Sequence, residues 1–203
     1  MKLYHSPTSP YVRKVRVLLH ETGQSDDVEL IIAGGTPMAP SDTLIARNPL
    51  TKVPALELPD GTVLFDSRVI CAYFDDRAGA GLYQTGPAHW RTRTLEALSD
   101  GILDAALLIV FEGRLRPEDK QMDEWCDAQW AKIERGCAAL EHDWMDHLAG
   151  PFDMGQIAAG CALSYLDFRL DARGWRQGND ALAAWFKAFE SRASMMATPP
   201  PAG

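Results

Sequence analysis

The run Lys2-Leu-Tyr-His-Ser-Pro-Thr-Ser-Pro-Tyr-Val-Arg-Lys-Val-Arg-Val-Leu-Leu, residues 2–19, decides how the chain is read. Lys2–His5 has the pattern of a short strand, and Ser6-Pro7-Thr8-Ser9-Pro10 breaks it. Ser9 before Pro10 is a helix start: the serine oxygen accepts from an otherwise unpaired N–H, and proline has no N–H to satisfy. Val12, Val15, Leu18 and Leu19 then recur at helical spacing up to Gly23, a residue suited to a helix C-terminus. The break therefore holds the Ser9 hydroxyl where unpaired backbone N–H groups collect.

Working outward, Val28–Ile32 reads as a second strand. A looser stretch with Gly34, Gly35, Pro37 and Pro40 leads through a short helical piece to Asn48-Pro49. Val53–Leu58 and Thr62–Phe65 flank Pro59-Asp60-Gly61, and Asp-Gly between apolar runs signals a hairpin. A helix over Ser67–Ala78 completes the order β-α-β-α-β-β-α. Such a sheet is parallel in one part and antiparallel in the other, the thioredoxin-like layout. Residues 79–87 hold Gly79, Gly81, Gly86 and Pro87 and read as a linker.

No strand pattern follows. Leu95, Leu98, Ile102, Ala105 and Ile109 form one helical seam, and Met122, Cys126, Trp130, Ile133, Cys137, Leu140 and Trp144 a longer one. Ile157–Leu170 is apolar nearly all round, the mark of a central helix, and Asp153 with Gln156 resembles a capping box before it. Leu182, Trp185, Phe186 and Phe189 mark a last helix before a Pro199-Pro200-Pro201 tail. The expected architecture is an α/β thioredoxin-like domain over 1–78, the linker, and an all-α domain over 88–203.

Composition narrows the function. The 203 residues are 46% hydrophobic and 24% charged, an ordinary globular mix. With 20 Lys+Arg against 28 Asp+Glu the net charge is −8, which argues against non-specific nucleic-acid binding. No apolar run approaches the roughly 20 residues of a spanning helix, and the polar start carries no secretory signal. A soluble, cytoplasmic protein with no membrane partner is expected. Cys71, Cys126, Cys137 and Cys161 are scattered and read as inert core residues. His142 and His147 stand five apart, which suits surface residues and no metal site.

Three places suit chemistry. At Ser9, the helix dipole and a hydroxyl donor would favour a bound thiolate over a thiol, though a plain N-cap is what a serine before proline usually means. Pro54 cannot donate to a ladder, so the Val53-Pro54 end of its strand should be open; Val53 could pair with an extended peptide, or the proline could simply protect an edge. Asp66-Ser67 offers a carboxylate to an ammonium and a helix N-terminus to a carboxylate, or else only a cap. Together the three describe a site for a small thiol peptide with a free α-amino acid end, which is glutathione.

The sequence resembles the glutathione transferase superfamily along its whole length, as a bacterial member of the serine-type or an unclassified branch. The likeness rests on Tyr4-His-Ser-Pro-Thr-Ser-Pro-Tyr-Val-Arg-Lys-Val-Arg, Asn48-Pro-Leu-Thr-Lys-Val-Pro-Ala-Leu, Phe65-Asp-Ser-Arg-Val-Ile-Cys-Ala-Tyr and Phe152-Asp-Met-Gly-Gln-Ile-Ala. It implies a homodimer, a cis peptide at Pro54, and glutathione as co-substrate without a metal. The γ-glutamyl end would lie on Asp66 and Ser67, the cysteinyl backbone on Val53, the sulfur at Ser9, and the glycyl carboxylate near Lys52. Leu107, Leu108 and Phe111 would line an electrophile pocket between the domains. Asp100 or Asp104 would reach the γ-glutamyl ammonium in the other subunit, or else be ordinary solvated carboxylates. Two departures stand out. The capping box reads Asp153-x-x-Gln156 where the family usually has Ser/Thr-x-x-Asp. Ser9 stands where some members carry cysteine, which favours thiolate activation over thiol–disulfide exchange. Tyr4 reads as structural. The expected function is transfer of glutathione to small electrophiles. The alternatives are a non-catalytic binding or scaffold protein and a glutathione-dependent peroxidase or reductase.

Overall fold

The computed structural model describes residues 1–201. In chain order the first part contains β1 (Lys2–His5), α1 (Pro10–Glu21), β2 (Glu29–Ile32), α2 (Asp42–Ile45), β3 (Ala55–Glu57), β4 (Val63–Leu64) and α3 (Ser67–Ala78). The sheet order is β2-β1-β3-β4. β1 runs parallel to β2, with Tyr4 opposite Ile31, and antiparallel to β3, with Tyr4 opposite Ala55. β4 returns antiparallel to β3, with Leu56 opposite Leu64. This is the thioredoxin-like topology. Side chains alternate across a strand, so Tyr4 packs with Ala33, Leu44 and Ala55 on one face. Leu3 and Leu56 are fully buried, and α1 packs against α3.

The strands are shorter than the apolar runs suggested. β3 lies inside the sheet, between β1 and β4. Its ladder begins at Ala55, one residue after the proline that lacks an N–H. The open stretch is therefore the segment leading into the strand.

The second part is all helical: α4 (Pro87–Leu115), α5 (Asp123–Asp143), α6 (Met145–Leu148), α7 (Met154–Leu170) and α8 (Asp180–Phe189). α4 packs on both α5 and α7. Gly136 of α5 lets α4 approach closely, since a Cβ there would stand 2.7 Å from Ile102 Cγ1. α7 is buried along most of its length. Its N-cap Asp153 accepts from the Gln156 N–H at 3.0 Å. The Gln156 side chain does not complete a capping box; it donates instead to the carbonyls of His147, Gly150 and Pro151 at 3.1–3.2 Å, closing the loop before the helix.

The chain divides into two compact units, Met1–Tyr83 with the segment from Ala193 on, and Gln84–Arg192. The span 88–203 expected for the helical domain is thus too long at its end. A further short helix, α9 (Ala193–Met196), follows α8 and packs on α1. Arg13 Nη2 donates to the Met195 carbonyl at 3.2 Å, and Ser194 Oγ to Glu21 Oε1 at 2.5 Å. Residues 202 and 203 of that expected span lie outside the described residues.

Two single residues also differ from expectation. His147 is not a surface residue: its ring meets the buried Asp153 carboxylate at 2.8 Å, because the loop folds back over the α7 N-terminus. Cys126 is only half-buried, at the first turns of α5 where the seam reaches solvent, whereas Cys71, Cys137 and Cys161 are buried. Among the described residues, no helix is long and apolar enough to cross a membrane.

Candidate functional site

Strand register gathers three of the expected elements at one end of the sheet. β1 ends at His5, and Ser9 opens α1 four residues later. β3 runs antiparallel to β1, so its leading segment Lys52-Val53-Pro54 stands beside the end of β1. β4 runs antiparallel to β3, so its end delivers Asp66 and Ser67 to the same side.

Ser9 is the N-cap of α1, extended at φ −80° and ψ 121°, and its Oγ accepts from the Val12 N–H at 3.3 Å. A hydroxyl that accepts still has its own proton to donate. Capping and donation to a ligand are therefore compatible. Beside it, Ser6 Oγ and Thr8 Oγ1 stand 3.3 Å apart.

Val53 is half-buried, and neither its N–H nor its C=O forms a backbone hydrogen bond among the described residues. The peptide bond that follows it is cis, as the resemblance implies, and so is the one joining Phe65 to Asp66. Asn48, which sequence reading did not single out, shapes this segment. It is buried, its Nδ2 donates to the Lys52 carbonyl at 2.8 Å, and its Oδ1 accepts from the Leu50 N–H at 3.0 Å. Its sequence signals were its place before Pro49, a turn signature, and its position at the head of one of the stretches that carry the family likeness. Lys52 itself is exposed.

Asp66 caps α3, with Oδ1 accepting from the Arg68 N–H at 2.9 Å and Oδ2 lying 3.6 Å from Arg68 Nε. The carboxylate remains exposed, while Ser67 is only 2% exposed. The cap and the ammonium partner foreseen for Asp66 thus draw on one carboxylate with spare lone pairs.

Tyr4 is structural. Its hydroxyl donates to Glu57 Oε2 at 2.7 Å and accepts from Arg47 Nε at 3.1 Å. The bonds from Tyr4 and Arg47 hold the Glu57 carboxyl below its ordinary range. His5, at the end of β1, is buried, and its Nδ1 has no hydrogen-bond partner among the described residues. Burial, assisted by Arg16, lowers its pKa and favours the neutral ring.

In the helical unit, Leu107 and Phe111 are half-buried, and Leu108 is 42% exposed. Asp100 is only 2% exposed, whereas Asp104 is exposed. Among the described residues, no group of three or more His, Cys, Asp or Glu is placed to hold a metal ion.

Residues 8–77 match the model of the glutathione S-transferase N-terminal domain, and residues 123–188 that of the C-terminal domain. The GST-like protein YibF of Escherichia coli K12 is 35% identical over 99% of both chains. The chain belongs to the glutathione transferase family. A crystal structure of a glutathione transferase family member from Pseudomonas fluorescens Pf-5, with bound glutathione, is 48% identical to this transferase-family chain, covers 99% of each and superposes with a TM-score of 0.96. Another from the same organism, with bound S-(propanoic acid)-glutathione, is 46% identical over the full length of both, at a TM-score of 0.92.

Proposed function

We propose that this protein binds glutathione and transfers it to small electrophiles by stabilising its thiolate. The observation that carries this reading is the unpaired N–H and C=O of Val53, at the end of the sheet that also bears Ser9 and the Asp66-Ser67 helix start. An extended peptide backbone supplies the two bonds Val53 lacks. The γ-glutamyl ammonium then meets Asp66, its carboxylate meets the α3 N-terminus at Ser67, and Lys52 faces the glycyl carboxylate. The cysteinyl sulfur falls at Ser9, where the α1 dipole and the hydroxyl favour its charged form. No metal or covalent enzyme intermediate enters: the thiolate attacks the electrophilic carbon and the leaving group departs with its electron pair. Leu107, Leu108 and Phe111 are the proposed electrophile contacts. The two Pseudomonas fluorescens structures, one with glutathione and one with a glutathione thioether, support a co-substrate and a product of this kind. The free thiols fit a reducing, cytoplasmic setting.

Ser9→Ala tests the mechanism. The hydroxyl bonds the charged sulfur, so its loss penalises the thiolate alone. A charge-assisted bond of about 1.5–3 kcal/mol corresponds to a rate loss of roughly 10- to 100-fold at neutral pH, with glutathione affinity nearly intact. Thiolate absorbance of the bound complex against pH, wild type beside Ser9→Ala, is the deciding measurement. Identical titrations leave Ser9 as an N-cap only.

A further inference from the structure

The side chains of Arg47 and Glu57 meet across ten positions of the chain, and the segment that presents Val53 lies wholly between them. Arg47 Nε donates to Glu57 Oε2 at 2.6 Å and to the Tyr4 hydroxyl at 3.1 Å. The same carboxylate oxygen accepts from the Tyr4 hydroxyl at 2.7 Å, and the guanidinium carbon lies 5.6 Å from the centre of the Tyr4 ring. β1, β3 and the chain leaving α2 each supply one corner of this triangle. Strand register makes it possible: Tyr4 stands opposite Ala55, and Glu57, two residues on, returns to the same face of the sheet.

The triangle reaches Val53 through its neighbours. The Arg47 and Asn48 N–H groups both donate to the Leu44 carbonyl, at 2.9 and 2.8 Å, and the Leu44 side chain is fully buried in the Tyr4 cluster. Arg47 is therefore held twice, by its backbone on α2 and by its side chain on the sheet. Asn48 follows directly, and its amide fixes the Lys52 carbonyl and the Leu50 N–H. From the other direction, Ala55 and Glu57 are locked in the ladder with β1, and the Val53 side chain packs on the Tyr4 cluster. Both ends of the 47–57 loop are thus stapled together. A stapled loop has fewer conformations to give up when a peptide pairs with it. A part-exposed ion pair adds little to folding stability, so its effect belongs to the order of this segment.

We propose that Arg47, with Tyr4 and Glu57, is a positioning group for glutathione, holding the Asn48–Val53 segment in the conformation that pairs with the peptide backbone. This role rests on the reading of the protein as a glutathione-binding transferase and names the side chains that set the affinity of that site. The three act through Val53 and not on the sulfur. Apparent affinity is the intrinsic affinity scaled by the fraction of molecules in the competent conformation. Opening the staple lowers that fraction, so glutathione binds more weakly by the same factor. Once glutathione is bound, the segment is ordered again and the sulfur meets the same surroundings. Affinity moves, and the thiolate pKa of the saturated complex does not.

Glutathione calorimetry on a matched pair of variants tests this. Arg47→Gln opens the staple. Arg77→Gln is the control: Arg77 ends α3 in the same compact unit, pairs with Asp27 at 2.6 Å, and is 38% exposed against 37% for Arg47. Arg47→Gln is expected to bind glutathione roughly 3- to 10-fold more weakly than wild type, and Arg77→Gln as wild type does. Arg47→Lys, which keeps a cation beside Glu57, should recover part of the loss. Tyr4→Phe keeps the ring in the core and removes only the hydroxyl, so it should weaken binding in the same direction without a folding defect. At saturating glutathione, thiolate absorbance against pH should be the same for Arg47→Gln and wild type. Equal affinity of wild type and Arg47→Gln, or equal weakening in Arg47→Gln and Arg77→Gln, overturns the positioning role while the transferase reading stands. A shifted thiolate titration in Arg47→Gln overturns it too, by placing Arg47 at the sulfur. Absence of glutathione binding by wild type overturns the transferase reading, and the positioning role with it.

Discussion

Asn48 and Thr51 determine how Val53 is offered to a ligand. The Asn48 side chain bridges Leu50 and Lys52, and its carbonyl accepts from the Thr51 N–H at 2.8 Å. The tight turn that results puts Thr51 at φ 53°, in the left-handed region that a β-branched residue avoids. That conformation costs about 1–2 kcal/mol in a residue with a Cβ, and glycine relieves it at an unfolded-chain entropy cost of about 0.4–1 kcal/mol. Thr51→Gly is therefore expected to stabilise the protein by up to about 1 kcal/mol, read as a higher midpoint in urea, with the site geometry kept. His5 gives a residue-level pH response. Its folded pKa is lowered from 6.5, so the unfolded chain takes up the proton first as pH falls. The stability that neutral His5 contributes is whole above pH 6.5 and is lost as pH drops towards the lowered folded value. Thermal melts from pH 8 to 5 should show a shallower decline in His5→Gln than in wild type; parallel curves would remove His5 from the account. Glu57 acts at lower pH. Its depressed pKa contributes stability above 4.5 that is lost below it.

At the scale of elements, α7 depends on the residue that caps it. Asp153 is buried, and its carboxylate receives three donors: the Gln156 N–H, Thr92 Oγ1 at 2.5 Å, and His147 Nε2. Alanine there removes a cap worth about 0.5–2 kcal/mol and strands two buried side-chain donors at about 1–3 kcal/mol each. Asp153→Ala should lose about 3 kcal/mol or more in denaturant melts, far beyond an ordinary cap. The wider lesson about legibility lies in this element. Asp153 as N-cap and the buried character of α7 were readable, because a capping residue and an all-round apolar helix leave marks within a few positions of each other. The partners from 61 and 6 residues away, Thr92 and His147, were not, since nothing local announces a tertiary bond. The same holds at the site. Ser9, Val53 and Asp66 each sit at an element end that turn and cap chemistry reveals, and β1 and α3 were bounded correctly for that reason. The open lead into β3 was legible because Pro54 lacks an N–H, while the register with β1 and β4 is set by tertiary pairing that no single residue marks. α9 escaped notice because a four-residue helix has too few positions to show a period.

For the whole molecule, the proposed assembly is a homodimer in which the helical unit contributes to the contact. Each unit, taken by itself, leaves large apolar side chains in water: Leu50 and Val69 in the first, Trp90 and Leu108 in the second. Trp90 is the extreme case, 71% exposed near the start of α4 and set edge-on to His89. An indole on that scale is the kind of anchor protein interfaces bury. Leu108 is claimed by the electrophile in the proposed function, so the same helix offers one apolar surface to a ligand and another to a partner. Asp104, exposed four residues beyond the buried Asp100, is the carboxylate we propose to meet a neighbouring subunit's γ-glutamyl ammonium. Sedimentation at micromolar concentration should give twice the 22.4 kDa chain mass. Trp90→Glu places a charge where the partner would need apolar surface, at a cost of several kcal/mol if buried unpaired, and should shift the boundary to the single chain. Asp104→Asn should leave the dimer intact and weaken glutathione binding by a few-fold, because it removes one charge-assisted contact from a ligand that Asp66 still holds. A wild-type boundary at the single-chain mass would rule out both the shared site and the role of Asp104 in it.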